Sequence, residues 1–463
     1  MNVRDSEAVH ALLLANGYEV VASEIDADIM VVNTCSVRDK AEQKALGKLR
    51  CMVSSKQDHP LRIVGAIGCM AEHDNEDLFR RVKGLDFAIG PRRLASLPSV
   101  IKALHTGKSD AHDSDCCRQE LPPQGIHGHT DKGITAFVTV VAGCSRGCAY
   151  CVVPKARGPE RSRTVTHILE EVDALVDAGI KEVTLLGQSI GSYGRDSDVG
   201  LDQLPSSLSL KEPFPRLLER VALTPDLPRV RFTSSHPSGI TDELIKVMKN
   251  MPTVCEHVHL PMQSGSDRIL KMMRRGYNAS EYLDAARRLR SAIPGIAITT
   301  DIIIGFPTET EADFNATRSL MQDIQFDNSY IFKYSPRPHT DAALSPDDVP
   351  RDVKRNRHKI LLEDQDLTGL EINKKLVGHD IEVLIEGVSQ RNSTRWSGRT
   401  RTNKIVIVEP IETMDGPCMV DVRVERGMPQ TLHGKVVRLA ASYRIKRPTL
   451  GPNIAKGDVP CPH

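Results

Sequence analysis

The chain has 463 residues, of which 26% are charged, with 61 Lys and Arg against 60 Asp and Glu. That length exceeds one ordinary core and calls for roughly two to four domains, while the near-zero charge balance excludes a general polycation and confines any nucleic-acid surface to a local patch. No apolar run approaches a membrane span of about eighteen residues, the opening MNVRDSEAVH holds no apolar signal core, and eleven cysteines without an export signal read as metal ligands or reactive thiols in the cytoplasm before disulfides.

Residues 6–20 (SEAVHALLLANGYEV) read as a helix, 28–35 (DIMVVNTC) as a buried strand ending in a polar turn, and 39–53 as a second helix. Two further strands follow at 61–69 (LRIVGAIGC) and 85–90 (LDFAIG), which predicts a small α/β unit on a parallel sheet. Such a unit needs a strand before its first helix. None precedes residue 6, so the face of Val9, Leu12 and Leu13 is expected to lack cover, at about 1.5–3 kcal/mol per large side chain. The chain is therefore expected to continue upstream of Met1. Residues 105–132 are polar and rich in Gly, Pro and His, and read as a linker in which the adjacent Cys116 and Cys117 are spectators.

Six strands are predicted next, at 136–143, 182–188, 229–235, 257–263, 297–306 and 329–335, with helical patterns such as 166–179 and 280–292 between them. Strand–helix alternation of this kind predicts an incompletely closed parallel barrel whose chemistry gathers at the C-terminal strand ends. Gln188, Ser234, Ser235, His236, Gln263, Asp301, Tyr334 and Arg337 all fall at those ends. Glu309 and Glu311 read as favourable residues at a helix start. Arg157, Arg161 and Arg163 read either as a solvated basic face or as a phosphate grip.

A helical stretch at 351–375 leads to β-rich runs at 380–387, 404–410, 418–427 and 432–439, which predict a small antiparallel barrel of roughly 70 residues. Within it, 391–404 (RNSTRWSGRTRTNK) carries five basic residues, no acid and the only tryptophan. Barrels of this type bind single strands through basic grooves and stacking aromatics. A solvated hairpin with Trp396 in the core is the competing reading.

CSRGCAYC (144–151) places Cys144, Cys148 and Cys151 within one short loop, and the next cysteine is Cys255. Four thiolates close a structural zinc or an electron-transfer cluster. Three point to a [4Fe–4S] cluster with one iron open, against the alternative of three thiols without a ligand. The Cys-x3-Cys-x2-Cys spacing, with Tyr150 before the third cysteine on a partial (βα)6 barrel, resembles the radical S-adenosylmethionine (SAM) superfamily. GCSRGCAYCVVPKARGPERSR (143–163), EVTLLGQ (182–188), FTSSHP (232–237), HLPMQSGSDRIL (259–270), DIIIGFPTET (301–310) and YIFKYSPRPHTDAA (330–343) are similar to the methylthiotransferases within it. The resemblance spans nearly the whole chain.

That resemblance implies a multidomain α/β protein: a flavodoxin-like methylthiotransferase domain at 1–104, the linker at 105–132, a radical SAM core at 133–365, a TRAM barrel at 366–440 and a tail at 441–463. It implies SAM bound at the open iron of the Cys144, Cys148, Cys151 cluster and cleaved to a 5′-deoxyadenosyl radical, with Tyr150, Gln188, Gln263 and Asp301 on the cofactor side. Structural hydrogen bonding at the barrel mouth stays open for Gln263 and Asp301. NTCSVR (33–38) and IGCM (67–70) assign Cys35 and Cys69 to a second [4Fe–4S] cluster that delivers sulfur. Its third ligand is expected in a Gly-Cys-Gln-Met-Asn turn upstream of Met1, since Cys51 falls on a predicted helix.

The activity implied is methylthiolation of N6-isopentenyladenosine beside the tRNA anticodon. CVVP, FKYSPRP and the basic barrel favour it over sister enzymes acting on threonylcarbamoyladenosine or on a ribosomal-protein aspartate. A non-catalytic iron–sulfur RNA-binding protein is the alternative of a different class. The expected partners are tRNA, held by Arg391, Arg395, Trp396, Arg399, Arg401 and Lys404, and an electron donor such as flavodoxin or ferredoxin. The protein is expected to be a cytoplasmic monomer with no membrane contact.

Overall fold

The computed structural model describes residues 1–36, 39–73, 75–106, 133–201, 206–233, 235–411 and 416–439. Cys116 and Cys117, nearly all of the expected linker, Ser234 and the tail lie outside the described residues. Among the described residues no helix is long and apolar enough to cross a membrane.

The N-terminal unit runs α1 (Asn2–Ala15), β1 (Ile29–Thr34), α2 (Asp39–Ser54), β2 (Ile63–Gly68), α3 (Cys69–His73), α4 (Asn75–Arg81), β3 (Phe87–Ile89) and α5 (Leu97–His105). Its three strands are parallel in the order β1-β2-β3. Central β2 is buried at every position, because helices cover both faces. Leu46, Leu49, Met70 and Leu78 pack on one side, and Val9, Phe87, Leu97 and Ile101 on the other. The α1 face expected to lack cover is partly covered: Val9 is buried, Leu13 packs against the same cluster, and Leu12 is half-buried.

The second unit comprises β4 (Thr135–Thr139), β5 (Val141–Ala142), α6 (Val153–Arg157), β6 (Arg161–Ser162), α7 (Val165–Asp177), β7 (Glu182–Leu186), α8 (Pro213–Ala222), β8 (Arg229–Phe232), α9 (Asp242–Asn250), β9 (His257–His259), α10 (Asp267–Met272), α11 (Ala279–Ala292), β10 (Ala297–Ile304), α12 (Glu311–Ile324) and β11 (Asn328–Lys333). Two parallel sheets, β4-β7-β8 and β9-β10-β11, join where Val230 N donates to Thr253 O (2.8 Å) and Cys255 N to Val230 O (2.9 Å). The result is a six-stranded open barrel. Its strands are largely buried, since α7, α8, α9, α11 and α12 pack outside and one large cluster fills the space between. Capping boxes at Asn278/Glu281 and Thr310/Asp313 start α11 and α12.

Helix α13 (Arg351–Lys374) then runs without a break through residues 365 and 366 into a closed barrel of β12 (Asp380–Ser389), β13 (Asn392–Thr400), β14 (Ile405–Val408), β15 (Cys418–Gly427) and β16 (Thr431–Leu439). Two expectations change here. The basic stretch 391–404 is chiefly strand β13, and the barrel is not wholly antiparallel, because β14 and β16 pair in parallel. Closing five strands leaves one pair with the same direction.

Candidate active site

The three clustered cysteines sit on an excursion between β5 and β6, which pair antiparallel and bring its ends together. Cys144 N donates to Gly158 O (3.0 Å) at its base. Gly143 makes that closure possible. Its φ is +76°, and a Cβ there would stand 2.1 Å from Pro159 O. The far side is pinned at Ala149, whose N–H donates to Met273 O (3.0 Å) and whose carbonyl accepts from Ala342 N (2.8 Å). The loop is thereby held at the C-terminal mouth of the six strands.

Burial pushes the Cys144 thiol up, and it pushes Cys151 up to about 12, where the nearby sulfurs of Cys148 and Cys144 disfavour a further negative charge. Reactive thiols show the opposite shift. Buried thiols become thiolates when a metal supplies the positive charge. Other features of the mouth fit such a group. The Gln263 side-chain Oε1 is buried without a hydrogen-bond partner, a state costing about 1–3 kcal/mol unless a ligand meets it. Gln263 itself has φ +67° and is held by Asp301 O, which accepts from its N–H at 2.8 Å. Arg275 Nη1 donates to Cys148 Sγ (3.1 Å).

Tyr150 packs on the cluster that includes Ala149, Met273, Phe306 and Tyr334, and burial raises its hydroxyl pKa well above the ordinary value. The side chain of Asp301 accepts from His259 Nε2 (3.2 Å) and is half-buried. Gln188 is half-buried just past β7. Arg146, from the cysteine loop, donates to Ser189 Oγ (3.0 Å) beside it.

Cys69 opens α3, and α3 packs on α6, the helix directly after Cys151. Burial raises the Cys69 thiol, against the pull of Arg157, and the Cys35 sulfur is close enough to add to the rise. The two N-terminal cysteines therefore lie together on the side of their domain that faces the barrel loop. Cys51 is exposed on α2.

The family pattern described as "Radical SAM superfamily" matches residues 138–321, "Uncharacterized protein family UPF0004" matches 1–90, and "TRAM domain" matches 374–437. The tRNA-2-methylthio-N(6)-dimethylallyladenosine synthase of Moorella thermoacetica is 42% identical over 443 residues, covering 94% of this chain and 96% of that one. The enzyme of the same name from Akkermansia muciniphila is 40% identical over 448 residues, covering 94% and 96%. The chain belongs to the tRNA-2-methylthio-N6-dimethylallyladenosine synthase family. The fold is also that of the radical S-adenosylmethionine methyltransferase TsrM from Kitasatospora setae, at TM-score 0.52 and 13% identity, covering 89% of this chain and 78% of that one.

Within this synthase-family chain the basic residues are employed unevenly. Arg401 pairs with Glu256 through two bonds of 2.8 Å and also donates to Pro252 O and Val254 O. Lys404 Nζ reaches Asp327 (2.7 Å). Arg399 meets Glu386 (3.2 Å), and Trp396 leans half-buried on the barrel core. Arg229, fully buried at the start of β8, binds Glu382 and Arg399 O, and Arg231 binds Glu182, Thr400 O and Arg401 O. Residues 400–404 thus dock on the N-terminal ends of the strands, opposite the cysteine loop. Arg401 and Lys404 clamp one barrel to the other. Arg391 remains exposed, and Arg395 is half-buried with only a 3.9 Å approach to Glu409.

Neither open reading of the arginines after the loop holds for Arg157 and Arg163. Arg157 is half-buried and paired with Asp5 (2.5 Å), and Arg163 is half-buried and paired with Glu171 (2.6 Å), while Arg161 is exposed. Glu309 precedes the α12 cap and is buried, accepting from Gly305 N (2.8 Å) and Arg357 (2.7 Å). Arg275 escaped the sequence reading. Its neighbourhood in RRGY carries no ligand pattern, and only the fold brings it to Cys148, 127 residues away.

Proposed function

We propose that the protein inserts a methylthio group at C2 of N6-isopentenyladenosine beside the anticodon of tRNA. One observation carries the reading: three buried or half-buried thiols on one pinched loop at a barrel mouth, where a closed iron site takes four. A [4Fe–4S] cluster held by Cys144, Cys148 and Cys151 would supply one-electron cleavage of SAM, and with it abstraction of an aryl hydrogen that no protein base removes.

The chain's own residues do the rest. Cys144, Cys148 and Cys151 hold the cluster and leave one position for SAM. Tyr150, with Met273, Phe306 and Tyr334, forms an apolar wall that excludes water from the radical's path. Gln263 Oε1 offers an acceptor to a cofactor or base N–H, and Arg146 draws the loop toward the β7 end. Cys35 and Cys69 would supply two of the ligands of the sulfur-delivering cluster. Arg391 and Arg395 attract tRNA phosphates. A small one-electron carrier such as flavodoxin or ferredoxin would serve as electron donor, and the protein works as a cytoplasmic monomer.

Mass analysis of tRNA nucleosides from cells with and without the protein tests the reading. The expected result is loss of the 2-methylthio derivative and accumulation of N6-isopentenyladenosine in cells lacking it. Unchanged nucleosides overturn the assignment, and loss of a methylthiolated threonylcarbamoyl derivative instead moves it to the sister activity.

A further inference from the structure

Arg275 lies in a tight turn after α10, between Arg274 at φ +55° and Gly276 at φ +69°. Those two left-handed residues fold the chain back so that the side chain passes beneath the cysteine loop. It is 8% exposed. Its Nη1 donates to Cys148 Sγ (3.1 Å), its Nε to Tyr277 Oη (3.2 Å) and its Nη2 to Pro261 O (3.4 Å). Its own carbonyl accepts from His236 Nε2 (3.0 Å). Tyr277 is fixed in turn by donating to Met262 O (2.8 Å).

Among the described residues no carboxylate pairs with this guanidinium. A buried, permanently charged group without an anion is costly. The one partner in the set able to carry negative charge fully at neutral pH is a metal-bound Cys148 sulfur. A thiolate-held cluster gains one further negative charge on reduction, and hydrogen bonds to its sulfurs shift its potential. A charged donor stabilises that added charge more than a neutral one does.

We infer that Arg275 tunes the barrel cluster, raising its reduction potential through a charged N–H···S bond to Cys148. The inference rests on the cluster proposed at Cys144, Cys148 and Cys151. Arg275 is a tuning residue, acting through a ligand sulfur rather than on the substrate.

The test is a mediated redox titration of the reconstituted protein, followed by electron paramagnetic resonance in a Cys69→Ala background so that the barrel cluster alone is read. Arg275→Gln is expected to keep its iron content while its midpoint moves to a more negative potential, and Arg275→Lys is expected to recover part of the shift. A fully loaded Arg275→Gln protein with the parental midpoint overturns the inference. If that variant loads no iron, the parental chain decides. With 15N in the arginine guanidino groups, its reduced cluster should show a nitrogen coupling that Arg275→Lys lacks, and absence of the coupling overturns the inference. A parental protein that forms no reducible cluster fails differently, taking down the proposed site itself and this inference with it.

Discussion

Arg401 of the C-terminal barrel and Glu256 before β9 share two N–H···O bonds of 2.8 Å, and the same guanidinium also binds the carbonyls of Pro252 and Val254. Cutting Arg401 to Ala leaves a carboxylate and two carbonyls unserved, at a cost of about 2 kcal/mol for a charged hydrogen-bonded pair. Urea unfolding of Arg401→Ala, Glu256→Gln and the double variant measures it. The double variant should cost less than the sum of the singles. Additive costs would mean that the pair does not couple the two barrels.

The salt dependence of tRNA binding separates the clamp from the RNA face. Replacing Arg391 and Arg395 together with Ala should weaken binding and flatten the log–log slope by about 0.7–0.9 for each phosphate that is no longer neutralised. Arg401→Ala should leave that slope unchanged, because its charge is already spent on Glu256. A flattened slope in Arg401→Ala, or an unaltered one in the first variant, contradicts this division.

Cys148→Ala should reduce 5′-deoxyadenosine formation from SAM to background, since the remaining pair, Cys144 and Cys151, cannot hold a cube of iron and sulfur with a single open corner. Chromatography of the nucleoside products under a chemical reductant reads it directly. Parental amounts from the variant would end the assignment of the loop.

Cys69→Ala should divide the reaction. SAM cleavage at the barrel loop continues, while methylthiolated nucleoside falls, because Cys69 lies across the α3–α6 contact rather than in the barrel loop. Measuring both products in one reaction makes the comparison internal. Equal loss of both would assign Cys69 a structural role instead.

His236 carries a pH signature. Burial, with the neighbouring Arg146 and Arg275, lowers its pKa from 6.5 to about 3. Its neutral ring donates Nε2–H to Arg275 O and accepts at Nδ1 from Ser238. Between those two values the unfolded chain binds a proton that the folded chain refuses, so stability is present above pH 6.5 and is lost as pH falls toward 3. The loss is at most about 1.4 kcal/mol per pH unit. Urea midpoints at pH 6.5 and 5 should converge for His236→Gln relative to the parental chain. An equal pH dependence in both proteins would place the titration elsewhere.

Much of this protein is local and was legible in order along the chain. Three thiols within CSRGCAYC need no tertiary information to be recognised, since one loop carries them all. The barrel strands show themselves as short runs because most of their positions are buried, and their polar ends mark the mouth. Charge was the part that sequence could not resolve. RNSTRWSGRTRTNK reads as a free basic patch only while its anions are out of sight, and Glu256 lies 145 residues before Arg401. Arg157 looks like a phosphate ligand until α1 brings Asp5 across 152 residues, and Arg275 looks like nothing until the turn after α10 lays it on Cys148. A covalent spacing is fixed by the chain itself, whereas the partner of a charge is whichever opposite group the packed core places beside it, and that choice belongs to the tertiary structure alone.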